Sequence, residues 1–230
     1  MKAAVSLISY AVWDAWLMHT VLQWAAIHAE ELVVELLVIY VPGIAVNLPD
    51  RIKMTPLHMA VAACSVGVVE LLLKVPDINV NAREPRRGTP LLWAVTSGQE
   101  RIVEVLLKAP GINVNTCDAD RRTPLYMAVK GGRRDIVALL LTSARIDVNS
   151  RTRDEKTPLH RASINGRADL VELLLNATDI DVSACDNLQR TPRQWAAIKG
   201  YDRIVTMLLR ATPNAVDRSH HDGAAAACSG

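Results

Sequence analysis

Phenylalanine is absent from all 230 positions and aromatic residues make up only 4%, so Trp and Met must fill the largest core positions beside Leu, Ile and Val. Neither sign of charge dominates. Lys and Arg number 26 against 24 Asp and Glu, a net of +2 that gives no general attraction to nucleic acid or anionic membrane. Cysteine is scarce, with four residues. Long uninterrupted apolar runs are also missing. Residues 3–29 carry one formal charge, Asp14, but His19, Gln23 and His28 break the run. A membrane or secretory segment is therefore not expected. The expectation is a helix over 3–18 that covers the N-terminal end of the remaining chain. Beyond Pro213 no apolar period is present, and a disordered tail is expected.

What the chain has is a repeat. Thr55-Pro56-Leu57-His58-Met59-Ala60 returns as Thr89-Pro90-Leu91-Leu92-Trp93-Ala94 and Thr123-Pro124-Leu125-Tyr126-Met127-Ala128. It comes again as Thr157-Pro158-Leu159-His160-Arg161-Ala162 and Thr191-Pro192-Arg193-Gln194-Trp195-Ala196, each 34 residues after the last. Val80-Asn81, Val114-Asn115 and Val148-Asn149 keep the same interval, as do apolar runs such as Leu170-Val171-Glu172-Leu173-Leu174-Leu175. A fixed period of this length marks a solenoid, in which each repeat buries its apolar face against its neighbours. Thr supplies an N-cap oxygen and Pro fits the first helical position. A first helix thus starts at each Thr-Pro and stops at Gly98, Gly132, Gly166 or Gly200, with Cys64 at that place in one repeat. A second, apolar-periodic helix comes next. The Ile-x-Val-Asn stretch then leads through a polar finger to the next Thr-Pro.

These residues resemble the ankyrin repeat family, whose repeats carry a T-P-L-H-x-A signature over 33 residues. The resemblance implies an all-α ankyrin-repeat solenoid of stacked helix-turn-helix units with extended, β-hairpin-like finger loops. Two departures stand out. Pro76 and Pro110 come after the second helices, and are expected to end them where a left-handed glycine otherwise would. Lys53, Arg87, Arg121, Glu155 and Gln189 occupy the finger position at which the family tends to place Gly, so finger turns of a different shape are expected. A degenerate sixth copy, Thr20-Val21-Leu22-Gln23-Trp24-Ala25, precedes the five clear ones. The organisation reads as an N-terminal apolar cap at 1–19, a repeat domain at 20–212 and a tail at 213–230. Repeats lie near 20–54, 55–88, 89–122, 123–156, 157–190 and 191–212.

Searches for chemistry return nothing. His58 and His160 stand three repeats apart, on the order of 30 Å at helix-packing distance, too far to share a metal or substrate. Each is expected to hydrogen-bond between neighbouring repeats. Cys117 and Cys185 are two repeats apart, beyond disulfide reach, so free thiols are expected. Lys130-Gly131-Gly132-Arg133 lacks the Gly-Lys-Ser/Thr of a phosphate loop. The sequon Asn176-Ala177-Thr178 is discounted on the intracellular reading. The expectation is a non-enzymatic, monomeric protein of cytoplasm or nucleus, without cofactor or metal.

The ankyrin resemblance further implies that a protein partner contacts the fingertips and the exposed ends of the first helices. The basic residues there are Arg51, Arg86, Arg122, Lys130, Arg153, Lys156, Arg190 and Lys199, opposed by Asp120 and Asp154. That surface sums to +6 (8 − 2), which leaves −4 for the rest of a +2 chain and favours an acidic partner. Arg86, Arg122 and Arg153 are expected at comparable places on successive fingers. Alternatives are a nucleic-acid-binding module using the basic fingers, or the repeat portion of a larger scaffold or ubiquitin-ligase adaptor. The nucleic-acid reading suffers because Trp93, Tyr126 and Trp195 fall at core-facing positions instead of interleaving with the cations.

Overall fold

The computed structural model describes residues 21–41, 43–85 and 88–211. The expected cap at 1–19 and tail at 213–230 lie outside them. Among the described residues there are helices and no strands. They are α1 (residues 21–27), α2 (Glu31–Tyr40), α3 (Pro56–Ala62), α4 (Val66–Leu73), α5 (Pro90–Ser97) and α6 (Glu100–Leu107). Then come α7 (Pro124–Lys130), α8 (Arg134–Leu141), α9 (Pro158–Ile164), α10 (Ala168–Leu175), α11 (Pro192–Ile198) and α12 (Asp202–Ala211). The fold is an all-α solenoid of helix pairs joined by finger loops. Two compact blocks divide it, the first ending at Thr116 and the second beginning at Cys117.

Within the first block α3 packs on α4 and α5, while α4 also packs on α2 and α6. In the second, α9 lies against α7, α10 and α11, and α10 against α8 and α12. Within each block the first helices thus form one layer and the second helices the other. The apolar spacing explains why. Each second helix buries the same positions: Val68, Val69 and Leu72 in α4, Ile102, Val103 and Leu106 in α6. The same holds for Ile136, Val137 and Leu140 in α8, and for Leu170, Val171 and Leu174 in α10. In the first helices Leu57, Leu91, Leu125 and Leu159 are fully buried. Each such side chain contributes roughly 1.5–3 kcal/mol.

The Thr-Pro starts behave as the sequence implies. Thr89, Thr123, Thr157 and Thr191 cap their helices by accepting from the backbone N–H three residues on. Each first helix closes in one way, with a residue of φ between 57° and 77° at Ala29, Cys64, Gly98, Gly132, Gly166 and Gly200. The next N–H then reaches back five residues, from Glu30 to Ala25, Ser65 to Ala60, Gln99 to Ala94, Arg133 to Ala128, Arg167 to Ala162 and Tyr201 to Ala196. This is a Schellman closure, repeated six times. It puts the degenerate first repeat in register with the rest.

Two expectations fail. Pro76 does not end α4. The helix stops at Leu73, with the N–H groups of Lys74 and Val75 bonded back to Leu71 and Leu72, and a left-handed residue, Asp77 (φ 62°), comes after the proline. Nor do the fingers change shape for want of glycine. Lys53, Arg121, Glu155 and Gln189 all hold positive φ, between 57° and 70°. Each sits in a hairpin turn where its N–H returns to Asp50, Asp118, Thr152 or Asp186. A buried or half-buried oxygen explains the tolerance. Asp50 Oδ1 accepts from Ile52 and Met54, Asp118 Oδ1 from Asp120 and Arg122, and Asp186 Oδ1 from Leu188 and Arg190. These side-chain bonds fix the turn and offset the left-handed strain.

Candidate partner-binding surface

Neighbouring repeats are clamped at the base of the finger. There the Asn of three Val-Asn pairs straddles the next loop. Asn47 Nδ2 donates to the Asp77 carbonyl at 2.7 Å, and Asn79 N–H donates to Asn47 Oδ1 at 2.7 Å. Asn81 does the same with Gly111 and Asn113, and Asn149 with Asp179 and Asp181. The sequence displayed this asparagine at a fixed interval, yet periodicity alone assigned it no task.

At the top of the finger stand the histidines. Thr55 N–H donates to His58 Nδ1, so the proton resides on Nε2, which donates to the Gly88 carbonyl at 3.1 Å. His160 repeats this with Thr157 and the Arg190 carbonyl, at 2.9 Å. Burial pushes both imidazoles below the ordinary range, against the pull of those carbonyls. The bond joins the first helix to the finger that closes the same repeat (55–88 or 157–190), not neighbouring repeats as expected.

In the second block the fingertips themselves are stitched together. Arg153 N–H donates to the Asp120 carbonyl at 3.0 Å and Asn187 N–H to the Asp154 carbonyl at 3.2 Å. This holds three fingers in one register. Between the first two lies a cleft of about 370 Å³ lined by Asp120, Arg122, Tyr126, Lys130, Thr152, Arg153, Asp154 and Arg161. It gathers Arg122, Lys130 and Arg153 from the eight basic residues picked out in sequence. Arg161 was missed there. Its signal was visible, for Met59, Trp93, Met127 and Trp195 hold the same place in the other hexapeptides. Burial pushes the Tyr126 phenol up, against Arg161 and Arg122, so its hydroxyl keeps its proton.

The eight residues divide by surroundings. Arg51, Lys130, Arg153 and Lys199 are exposed, Arg51 in the first block and the others in the second. Arg122 is half-buried and held by Asp118 and Asp120, both at 2.7 Å. Lys156, 3.5 Å from the fully buried carboxylate of Asp186, lies over Trp195, as does Arg190 at 4.8 Å. Trp195 is therefore only part-buried, and its indole N–H donates to Asp186 at 2.8 Å. Trp93 is likewise part-buried, whereas Tyr126 is in the core as expected. Arg86 lies outside the described residues. Arg122 closes its hairpin while Arg153 opens the next, so those two do not occupy comparable finger places. Cys64 and Cys117 carry free thiols, as expected. No helix among the described residues is long and apolar enough to cross a membrane.

A family model for ankyrin repeats, built of three copies, matches residues 5–84, 76–152 and 145–217. The chain belongs to the ankyrin repeat family. The crystal structure of EF0377, an ankyrin repeat protein, is similar over 84% of this chain and 98% of that one, with 26% identity and a TM-score of 0.76. No curated protein sequence matches. Repeats of this family are in general protein–protein interaction modules.

Proposed function

We propose that this chain binds a protein partner with an acidic surface through its fingertips and first-helix ends, without catalysing a reaction. The observation that carries the reading is the register-locked set of fingers in the second block, with Lys130 and Arg153 exposed beside one cleft. A rigid row of cations loses little side-chain and loop freedom on binding, and it steers an acidic segment towards one orientation. The nucleic-acid alternative needs an exposed aromatic platform beside the cations, and Trp195 is already covered by Arg190 and Lys156.

Affinity capture with mass spectrometry, run on the wild-type chain and on a Lys130→Glu, Arg153→Glu, Lys199→Glu variant, tests the reading. A protein retained by the first at moderate salt should bind the second at least tenfold more weakly, with thermal melting unchanged. Equal retention would show that the basic surface only solvates the fingers. Salt-sensitive binding of arbitrary RNA by the wild type, without a protein partner, would favour the alternative.

A further inference from the structure

Arg161 is the one charged residue at a hexapeptide position otherwise filled by Met or Trp. Its Nε is buried and has no hydrogen-bond partner among the described residues. Among them its guanidinium makes no ion pair either, whereas Arg122, Lys156 and Arg167 in the same block all find carboxylates. A buried donor left open calls for an explanation. The charges around it point one way. Asp118 and Asp120 already compensate Arg122. That leaves Lys130, Arg153 and Arg161 lining a cleft with one further carboxylate, Asp154, which is 69% exposed and 3.9 Å from Lys156. The cleft thus has more cation than anion, a protonated Tyr126 hydroxyl and an unused guanidinium edge.

We infer that this cleft is the receptor for one anionic side chain, a carboxylate or a phosphomonoester, presented by an extended peptide of the partner. The inference rests on the protein-interaction reading above and names the chemistry its central contact requires. A guanidinium with free N–H groups matches two oxygens of one anion in parallel, which a lysine cannot do. Lys130, at the end of α7, and Arg153, at the tip of the second finger, both line the cleft and add positive charge around the anion. At about 370 Å³ the space suits a single side chain with some hydration, not a folded surface. The Arg153–Asp120 backbone bond holds together the two fingertips that flank it.

The test tracks the Arg161 Nε–H resonance of the full chain, labelled with ¹⁵N, during titration with three peptides of equal length: tetraglutamate, a phosphoserine peptide and tetraglutamine. The two anionic peptides should move that resonance saturably and the neutral one should not. The tighter of the two identifies carboxylate or phosphomonoester as the preferred group. Arg161→Met, which installs the residue of two other repeats, should weaken binding at least tenfold as read from the Gly131 amide, with melting preserved. Arg161→Lys should recover only part of the loss. If the anionic peptides shift resonances of Arg51 or Lys199 but leave Arg161 still, the cleft is overturned and the interaction reading stands. If no resonance moves anywhere, both the cleft and the preference for an acidic partner fall.

Discussion

The imidazole Nε2 of His160 lies 2.9 Å from the carbonyl oxygen of Arg190, 30 residues further along the chain. One side chain therefore caps its own helix through Nδ1 and ties the next finger through Nε2. Making both bonds at once requires the neutral ring with its proton on Nε2, because a doubly protonated ring keeps the bond to Arg190 but cannot accept from Thr157 N–H.

This pairing gives stability a pH dependence of definite sign. The folded pKa values of His58 and His160 lie below the unfolded value of about 6.5. The unfolded chain thus binds more protons below that pH, and stability falls as the solution is acidified from about 6.5 towards the folded pKa. Urea midpoints measured between about pH 7.5 and 5.5 should decline, and His160→Gln should flatten the decline. Gln194 already plays the capping part in the last repeat, accepting from Thr191 N–H at 2.8 Å. An unaltered slope in the variant would contradict the assignment.

Leu125 is fully buried on α7, whereas Arg193, at the equivalent position of the last repeat, is exposed. Leu125→Ala should cost about 2–5 kcal/mol. Arg193→Ala should fall within about 0.5 kcal/mol. Similar losses in denaturant melts would argue against a polar terminal face on the last repeat.

Asn149 bridges to the Asp179 carbonyl at 2.6 Å and to the Asp181 N–H at 2.9 Å. Removing both bonds by Asn149→Ala should destabilise by about 1–3 kcal/mol. Hydrogen exchange should localise the loosening to the loop after α10. Unchanged protection there would mean the ladder decorates a loop that is already rigid.

Cys64 holds φ 57° where four other repeats carry Gly. Cys64→Gly relieves a left-handed strain of roughly 1–2 kcal/mol, partly offset by extra freedom in the unfolded chain and by the lost contact with Gln99. A net rise in melting temperature is expected. A fall would show that the Gln99–Cys64 contact outweighs the backbone term.

The 34-residue interval, Thr before Pro and the spacing of Val, Ile and Leu fixed the helix pairs from sequence, because caps and apolar period are local properties. The inter-helix turns were legible for the same reason, down to Cys64 in place of Gly. The finger turns were not. Residue type at Lys53, Arg121 and Glu155 argued against a left-handed backbone, and only the folded turn showed oxygens of Asp50, Asp118 and Thr152 anchoring it. Charge was the hardest property to read in advance. Eight cations could be counted from sequence, but whether each meets solvent or a partner inside the protein depends on neighbours four residues away, as for Arg122, or 30, as for Lys156. Lys156 finds Asp186 and Trp195, Arg122 finds Asp118, and Arg161 finds none among the described residues, a difference decided by packing.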